Sequence, residues 1–258
     1  MLAFIDEFSK TMQIPGNIIA NADDLGFNDS VNQAILHCFK SGYINSTSLM
    51  TNTPHFGATV ELIKKNPEIA NIGLHVDLAQ FRPVTDFRAN FLDKDGNWDV
   101  WKTKKLLVSL SSEDKKAFAK EINAQIERAI DQDIKLVHLD AHLHLHTSPG
   151  FFNFFLAAAI KYNLKLRLAQ TFNEGSYLKY YYRKFINGQI KKNGCNYSER
   201  FETVSRYLQY NSIESKISTE IMLHPDLDQN GKLTDHFDDE TMRSWLRFLL
   251  GDQAAGSN

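Results

Sequence analysis

Nine histidines stand in a chain of 258 residues, and four of them fall between positions 138 and 146. There His138, Asp140, His142, His144 and His146 alternate with Leu139, Ala141, Leu143 and Leu145. If that stretch is extended, all five polar side chains share one face. Residues two apart on a strand are about 6.5–7 Å from each other, so the whole ladder cannot hold one ion. One or two of its imidazoles can, since neutral imidazole is the commonest metal ligand, with the rest as outer contacts. A solvated strand face is the competing reading, but such a face favours Lys, Glu and Thr over stacked imidazoles. The adjacent pair Asp23-Asp24 is a second candidate. Two neighbouring carboxylates repel unless a cation sits near them, which suits one metal-binding aspartate and one general base. Asp-Asp-Leu-Gly is equally good turn and cap chemistry. His75, inside an apolar run, and His224, before Pro225, are weaker alone. His37, His55 and His236 have no such setting, and packing is their expected role.

The elements that must position these residues alternate. Strands are expected at 17–22, 46–50, 72–78, 135–140, 165–169 and 219–223. Helices are expected over 29–40, 56–65, 112–129, 149–162 and 239–250. Asn28 or Asp29 caps the first, and a capping box from Ser111 to Asp114 opens the third. Residues 85–101 read as a loop with an Asp95-Gly96 turn. Strand–helix alternation implies parallel strands with crossover helices, hence a barrel or an open doubly wound sheet. In either, the site lies at the carboxyl ends of the strands. The candidate residues fall there: Asp23-Asp24 after the first strand, His75 in the third, 138–146 at the fourth, and His224 after the last.

Composition narrows the function. Lys plus Arg number 29 and Asp plus Glu 31, a formal charge of −2, so no basic excess points to nucleic acid. Asp6 and Glu7 interrupt what would be a signal core, and the most apolar window, 151–160, is too short to span a bilayer. Cys38 and Cys195 cannot build a disulfide framework. A cytoplasmic, single-domain protein is expected over 1–258, with an N-terminal extension at 1–16 and a frayed tail at 251–258.

Four segments then carry a resemblance: Asn-Ala-Asp-Asp-Leu-Gly (21–26), Gly-Leu-His (73–75), His-Leu-Asp-Ala-His-Leu-His-Leu-His (138–146) and Glu-Ile-Met-Leu-His-Pro (220–225). In this order they resemble the YdjC-like carbohydrate deacetylases, which include chitooligosaccharide deacetylases. The resemblance implies a distorted (β/α) barrel with parallel strands, as in polysaccharide deacetylases. It implies Asp24, His75 and His142 as ligands of one divalent ion, Asp23 as general base and His224 as general acid. It also implies Arg167 as a residue orienting the base, and His144 and His146 near the substrate. Asp77 is added as a substrate contact because it departs from the family's usual continuation. Ala141 replaces a usual serine, and Asp226 a usual small residue. Mixed oxygen and imidazole ligands suit Zn²⁺, Mn²⁺ or Co²⁺, while the family is commonly assigned Mg²⁺. The expected partner is a small N-acetylated sugar, with neither nucleic acid nor membrane; a homodimer is left open.

Two other readings compete. Two histidines and one carboxylate also suit a non-haem iron oxygenase, although the 2-oxoglutarate type is all-β and that use leaves the Asp pair idle. The stretch 179–200 mixes Lys and Arg with Tyr177, Tyr180, Tyr181, Tyr182 and Tyr197 in or beside it, as a single-strand nucleic-acid or sugar binder would. A solvated helix with its tyrosines packed on the core is the alternative expected there.

Overall fold

The computed structural model describes residues 13–104, 110–172, 175–210 and 216–251. Most of the expected extension and nearly all of the expected tail therefore lie outside the described residues. In chain order the elements are β1 (Ile18–Leu25), α1 (Asp29–Lys40), β2 (Ser46–Leu49), α2 (Phe56–Lys65), β3 (Ile72–Val76) and α3 (Val100–Thr103). Next come α4 (Ser112–Ile130), β4 (His138–Ala141), α5 (Phe152–Tyr162), β5 (Lys165–Leu166) and α6 (Tyr177–Lys192). The last are β6 (Arg200–Thr203), α7 (Val204–Tyr210), β7 (Thr219–Leu223), β8 (Pro225–Leu227), β9 (Leu233–Asp235) and α8 (Asp239–Leu250).

Seven strands form one sheet in the order β5-β4-β3-β2-β1-β7-β6. Every pairing in it is parallel. The sheet curls, and its two edges approach through a parallel bridge between Leu166 and Asn196, just ahead of β6. This is the distorted barrel expected. Strands buried on both faces need apolar or fully paired side chains throughout, and β2, β3 and β4 are buried along their whole length. Outside them α1 turns Val31, Ala34, Ile35 and Cys38 inward, and α4 turns in Phe118, Ile122, Ile126 and Ala129.

Local signals hold at the helix starts. Asn28 caps α1 by accepting from the Val31 amide, and Ser111 and Asp114 form the capping box of α4. Several expectations need correction. β1 runs three residues further than expected, so Asp23 and Asp24 belong to the strand and not to a turn after it. The strand near 165 is only two residues long. The expected 85–101 loop holds a 3₁₀ turn, Ala89–Phe91, and the start of α3. Strand β6, helix α7 and the antiparallel hairpin β8–β9 were not anticipated. Of the tyrosines of α6, Tyr182 packs against the core, but the helix does not turn a tyrosine face inward. Ile186, Asn187 and Ile190 face inward, whereas Tyr177 and Tyr181 are exposed.

Candidate active site

The end of β1 is irregular. Its register with β2 shifts between Ala22 and Leu25, and Asp24 has φ 69°, a left-handed conformation uncommon for a residue with a side chain. Neighbours on a regular strand point to opposite faces, and a bulge re-aims them. Here both carboxylates reach the mouth of the sheet. Gly26 (φ 98°) completes the turn into α1. A Cβ there would lie 2.8 Å from the Met50 carbonyl oxygen, so the glycine is required.

Around Asp24 the groups are imidazoles. Its Oδ1 lies 3.0 Å from His142 Nδ1 and 3.2 Å from His75 Nε2. Its Oδ2 is buried without a hydrogen-bond partner among the described residues. The ligand atoms of Asp24, His75 and His142 all lie within 4.8 Å of one another. On its other side, His75 Nδ1 donates to Asp140 Oδ1 at 2.7 Å, a carboxylate–histidine pair of the kind that orients metal-binding imidazoles. This contact follows from register, because His75 and Asp140 are partners across β3 and β4. Burial raises the Asp24 carboxyl, but His142, His236 and His75 beside it hold it well below the ordinary range.

Around Asp23 the main partner is Arg167, fully buried just past β5. Its Nη1 and Nη2 donate to the two Asp23 oxygens at 2.7 and 2.6 Å. Nη2 also lies 2.8 Å from Asp140 Oδ2, and Nε donates to Glu220 Oε1 at 2.7 Å. Burial opposes ionisation of Asp23, yet Arg167 brings its carboxyl below the usual value. Glu220 keeps a pKa pushed up to about 7 by burial. Asp23, His75 and Asp140 make a second ion-sized cluster, but Arg167 already supplies its cation. The Asp24–His75–His142 group has no such permanent cation beside it, and one carboxylate oxygen with two imidazoles, their ligand atoms within 4.8 Å of one another, fit a divalent ion.

The expected histidine ladder stops at Ala141. His142 opens a 3₁₀ turn, and Leu143 and His144 both take positive φ, 53° and 57°. His144 turns to a cavity of about 580 Å³ that Asp23, His75, His142, Tyr182 and His224 also line. His146 does not line it; it is buried against Phe155. Burial drives the His144 pKa down to about 4 and that of His146 well below ordinary. His138 is buried inside the sheet and stacks on Tyr197 at 4.1 Å. Asp77 does not reach the cavity either. Its oxygens accept the amides of Ala79, Gln80 and Phe81 and the Asn52 side chain at 2.8–3.0 Å. It organises the loop after β3, and the structure gives it no free oxygen for a sugar.

His224 lines the cavity beside Asp23, its Nε2 3.9 Å from Asp23 Oδ2. Behind it, Asp235 Oδ2 accepts the His224 amide at 2.8 Å and lies 3.8 Å from its Nδ1. In the deacetylase reading the sequence assigned no site role to Asp140, Glu220, Asp235 or His236; Asp140 entered only the polar ladder and the oxygenase alternative, as His138-x-Asp140 with His224. Asp140 and Glu220 sat inside quoted motifs. The only signal for the other two was the turn-forming Asp-Gln-Asn-Gly at 228–231, which folds the chain back beside His224.

A parallel β/α sheet with a buried Asp/His cluster that could hold a metal ion at its carboxyl end is what fold and site define. The YdjC-like protein family matches residues 17–255. A carbohydrate deacetylase of Vibrio cholerae is 31% identical over 72% of this chain and 75% of its own length. One of Listeria monocytogenes is 29% identical over 88% of this chain and 84% of its own. Among solved structures, a protein of Enterococcus faecalis described as a candidate for cellobiose-phosphate cleavage superposes with a TM-score of 0.67 at 20% identity, covering 91% of this chain and 94% of that one. The chain belongs to the YdjC-like family. No described helix is long and apolar enough to cross a membrane.

Proposed function

We propose that this YdjC-like protein is a metal-dependent deacetylase that hydrolyses the N-acetyl group of an amino sugar or short oligosaccharide, of the chitooligosaccharide type, and releases acetate. The observation that carries the reading is the convergence of Asp24, His75 and His142 beside a cavity that Asp23 and His224 line, 3.9 Å from each other. The named relatives support the sugar amide as substrate.

Asp24, His75 and His142 would hold the ion, with Asp140 keeping His75 in the tautomer that points Nε2 at it. When bound, such an ion supplies Lewis-acid chemistry, acidifying water and polarising the amide carbonyl. Asp23 receives the proton of the attacking water. Arg167 keeps Asp23 ionised and aims it, which also makes it a weak base. His224 delivers a proton to the leaving amine nitrogen, which departs poorly as an anion. Asp235 steadies His224 from behind. His144, neutral through burial, and Tyr182 shape the wall that meets the sugar. The ion is Mg²⁺ or Zn²⁺, with Mn²⁺ and Co²⁺ chemically admissible. The proposed setting is the cytoplasm, because the two cysteines are free thiols, as a reducing compartment favours.

The oxygenase reading loses support on architecture, since the sheet is parallel β/α, and on the family. The test is acetate release from a panel of N-acetylated sugars, using metal-stripped protein with single ions added back. Release restored by one ion on one sugar class is expected. No release from any sugar with any ion would sink the reading.

A further inference from the structure

Asp24 offers its two oxygens to different neighbours. Oδ1 faces His75 and His142, as a ligand to a shared ion would. Oδ2 points away from them, buried and without a hydrogen bond to a described residue. His236 Nε2 stands 3.3 Å from it, slightly beyond ideal hydrogen-bond length. His236 belongs to neither of the ion-sized clusters found among the described residues, so it is not placed as a further ligand.

The ring is held where it is. Phe27 stacks on it with centroids 6.1 Å apart and planes at 25°. Phe237 and His224 close it in at 4.4 and 5.2 Å. The backbone is fixed by the β8–β9 hairpin, where the His236 amide donates to the His224 carbonyl at 3.1 Å. The preceding residue, Asp235, accepts the amides of His224 and Phe237. The same turn that sets the proposed acid therefore also sets His236.

We propose that His236 is a positioning residue for the metal site: its Nε2–H engages Asp24 Oδ2 and so presents Oδ1 alone to the ion. The proposal rests on the metal reading above. A carboxylate ligand whose free oxygen is held keeps its orientation as the ion arrives; one that is not held must be ordered at that moment. Loss of such outer partners typically lowers metal affinity 10–100-fold.

The test is a Zn²⁺ titration of the metal-stripped full chain, by competition with a chromophoric chelator, for the wild type, Asp24→Ala, His236→Ala, His236→Phe and His236→Gln. His236→Phe retains ring packing against Phe27 and Phe237 but donates nothing. His236→Gln restores an amide N–H near the Nε2 position. Roughly 10–100-fold weaker Zn²⁺ binding is expected for the Ala and Phe variants, with Gln recovering most of it. The wild-type affinity in His236→Phe would overturn the proposal, and it remains decisive if the Ala variant fails to fold. Near-total loss in Asp24→Ala beside wild-type affinity in the His236 variants would overturn this assignment and leave the metal reading standing. Wild-type affinity in Asp24→Ala would overturn the metal reading itself, and the positioning role with it.

Discussion

Asp23 and Asp24 are consecutive, equally buried, and solved in opposite ways. Asp24 is surrounded by imidazoles, whose positive charge is optional and disappears when they ligate an ion. Asp23 is clamped by a guanidinium, whose charge is permanent and whose two parallel donors match a carboxylate. One aspartate thus keeps room for an exchangeable cation, while the other already has a cation that cannot leave. Arg167 extends this second arrangement to Asp140 and Glu220, so the carboxylates that could compete for the ion are already tied up. The left-handed backbone at Asp24 lets neighbouring residues open into these two environments.

Substituting the two aspartates one at a time is the sharpest way to break the comparison. Asp24→Ala is expected to remove both tight metal binding and acetate release down to background. Asp23→Asn is expected to retain one ion per chain while lowering kcat by roughly 10²–10⁴-fold, the usual worth of a positioned acid–base group. Metal content by elemental analysis, beside initial rates, decides between them. If Asp23→Asn also sheds the ion, Asp23 is a ligand and the division between the two residues is wrong.

Arg167 tests the other half. Its replacement by Met leaves Asp23, Asp140 and Glu220 buried without their cation. Breaking a buried pair by removing one partner typically costs about 3–5 kcal/mol. Urea unfolding of metal-stripped Arg167→Met is expected to show a loss of that order. Arg167→Lys is expected to recover only part of it, since one ammonium cannot reproduce the fork that spans three carboxylates. A loss below about 1 kcal/mol, the scale of an exposed ion pair, would mean that the hub does not hold these strand ends together.

What the chain revealed before folding follows the same division. The parallel sheet was legible because strands and helices alternate with clear caps, and because His142 and His224 each follow the last residue of a strand while His75 lies one residue from the end of another. The wiring between them was not. Asp140 meets His75 through register across β3 and β4, and Arg167 meets Asp23 across 144 residues of chain; neither distance is written in local pattern. The histidine ladder misled because period two was assumed to continue, whereas Leu143 and His144 adopt φ values that end a strand. The three consecutive tyrosines of α6 misled only in part, since Tyr182 packs against the core while Tyr181 is exposed. Residues 180–182 cover three directions around a helix, so composition alone could not say which side would face the core. His236 was passed over because its role depends on a hairpin whose strands are three residues each.

The smallest expected effect concerns two histidines on neighbouring strands that differ as the aspartates do. Burial opposes the charged form of both. For His75, the Asp140 and Asp23 carboxylates overcome it and lift its pKa well above ordinary. For His138, neither ring nitrogen has a hydrogen-bond partner among the described residues, and burial takes its pKa from 6.5 down to about 4. Gly73 makes this burial possible, because a Cβ there would fall 2.2–2.4 Å from the His138 ring. The sign follows from linkage. Below pH 6.5 the unfolded chain binds a proton that the folded His138 refuses until about pH 4. Its contribution to stability is therefore present above pH 6.5 and is lost as pH falls towards 4. At 1.36 kcal/mol per unit, this amounts to about 2 kcal/mol between pH 7 and pH 5. His138→Phe keeps a ring against Tyr197 and titrates nothing. Asp140, whose carboxyl Arg167 and His138 help hold far below the ordinary range against its burial, stays ionised across this interval in both proteins, so the difference between their unfolding curves reports chiefly on His138. The wild type is expected to lose about 2 kcal/mol more than the variant over that interval. Parallel losses would show that His138 is protonated as readily folded as unfolded, and that its burial beneath Gly73 does not set its charge.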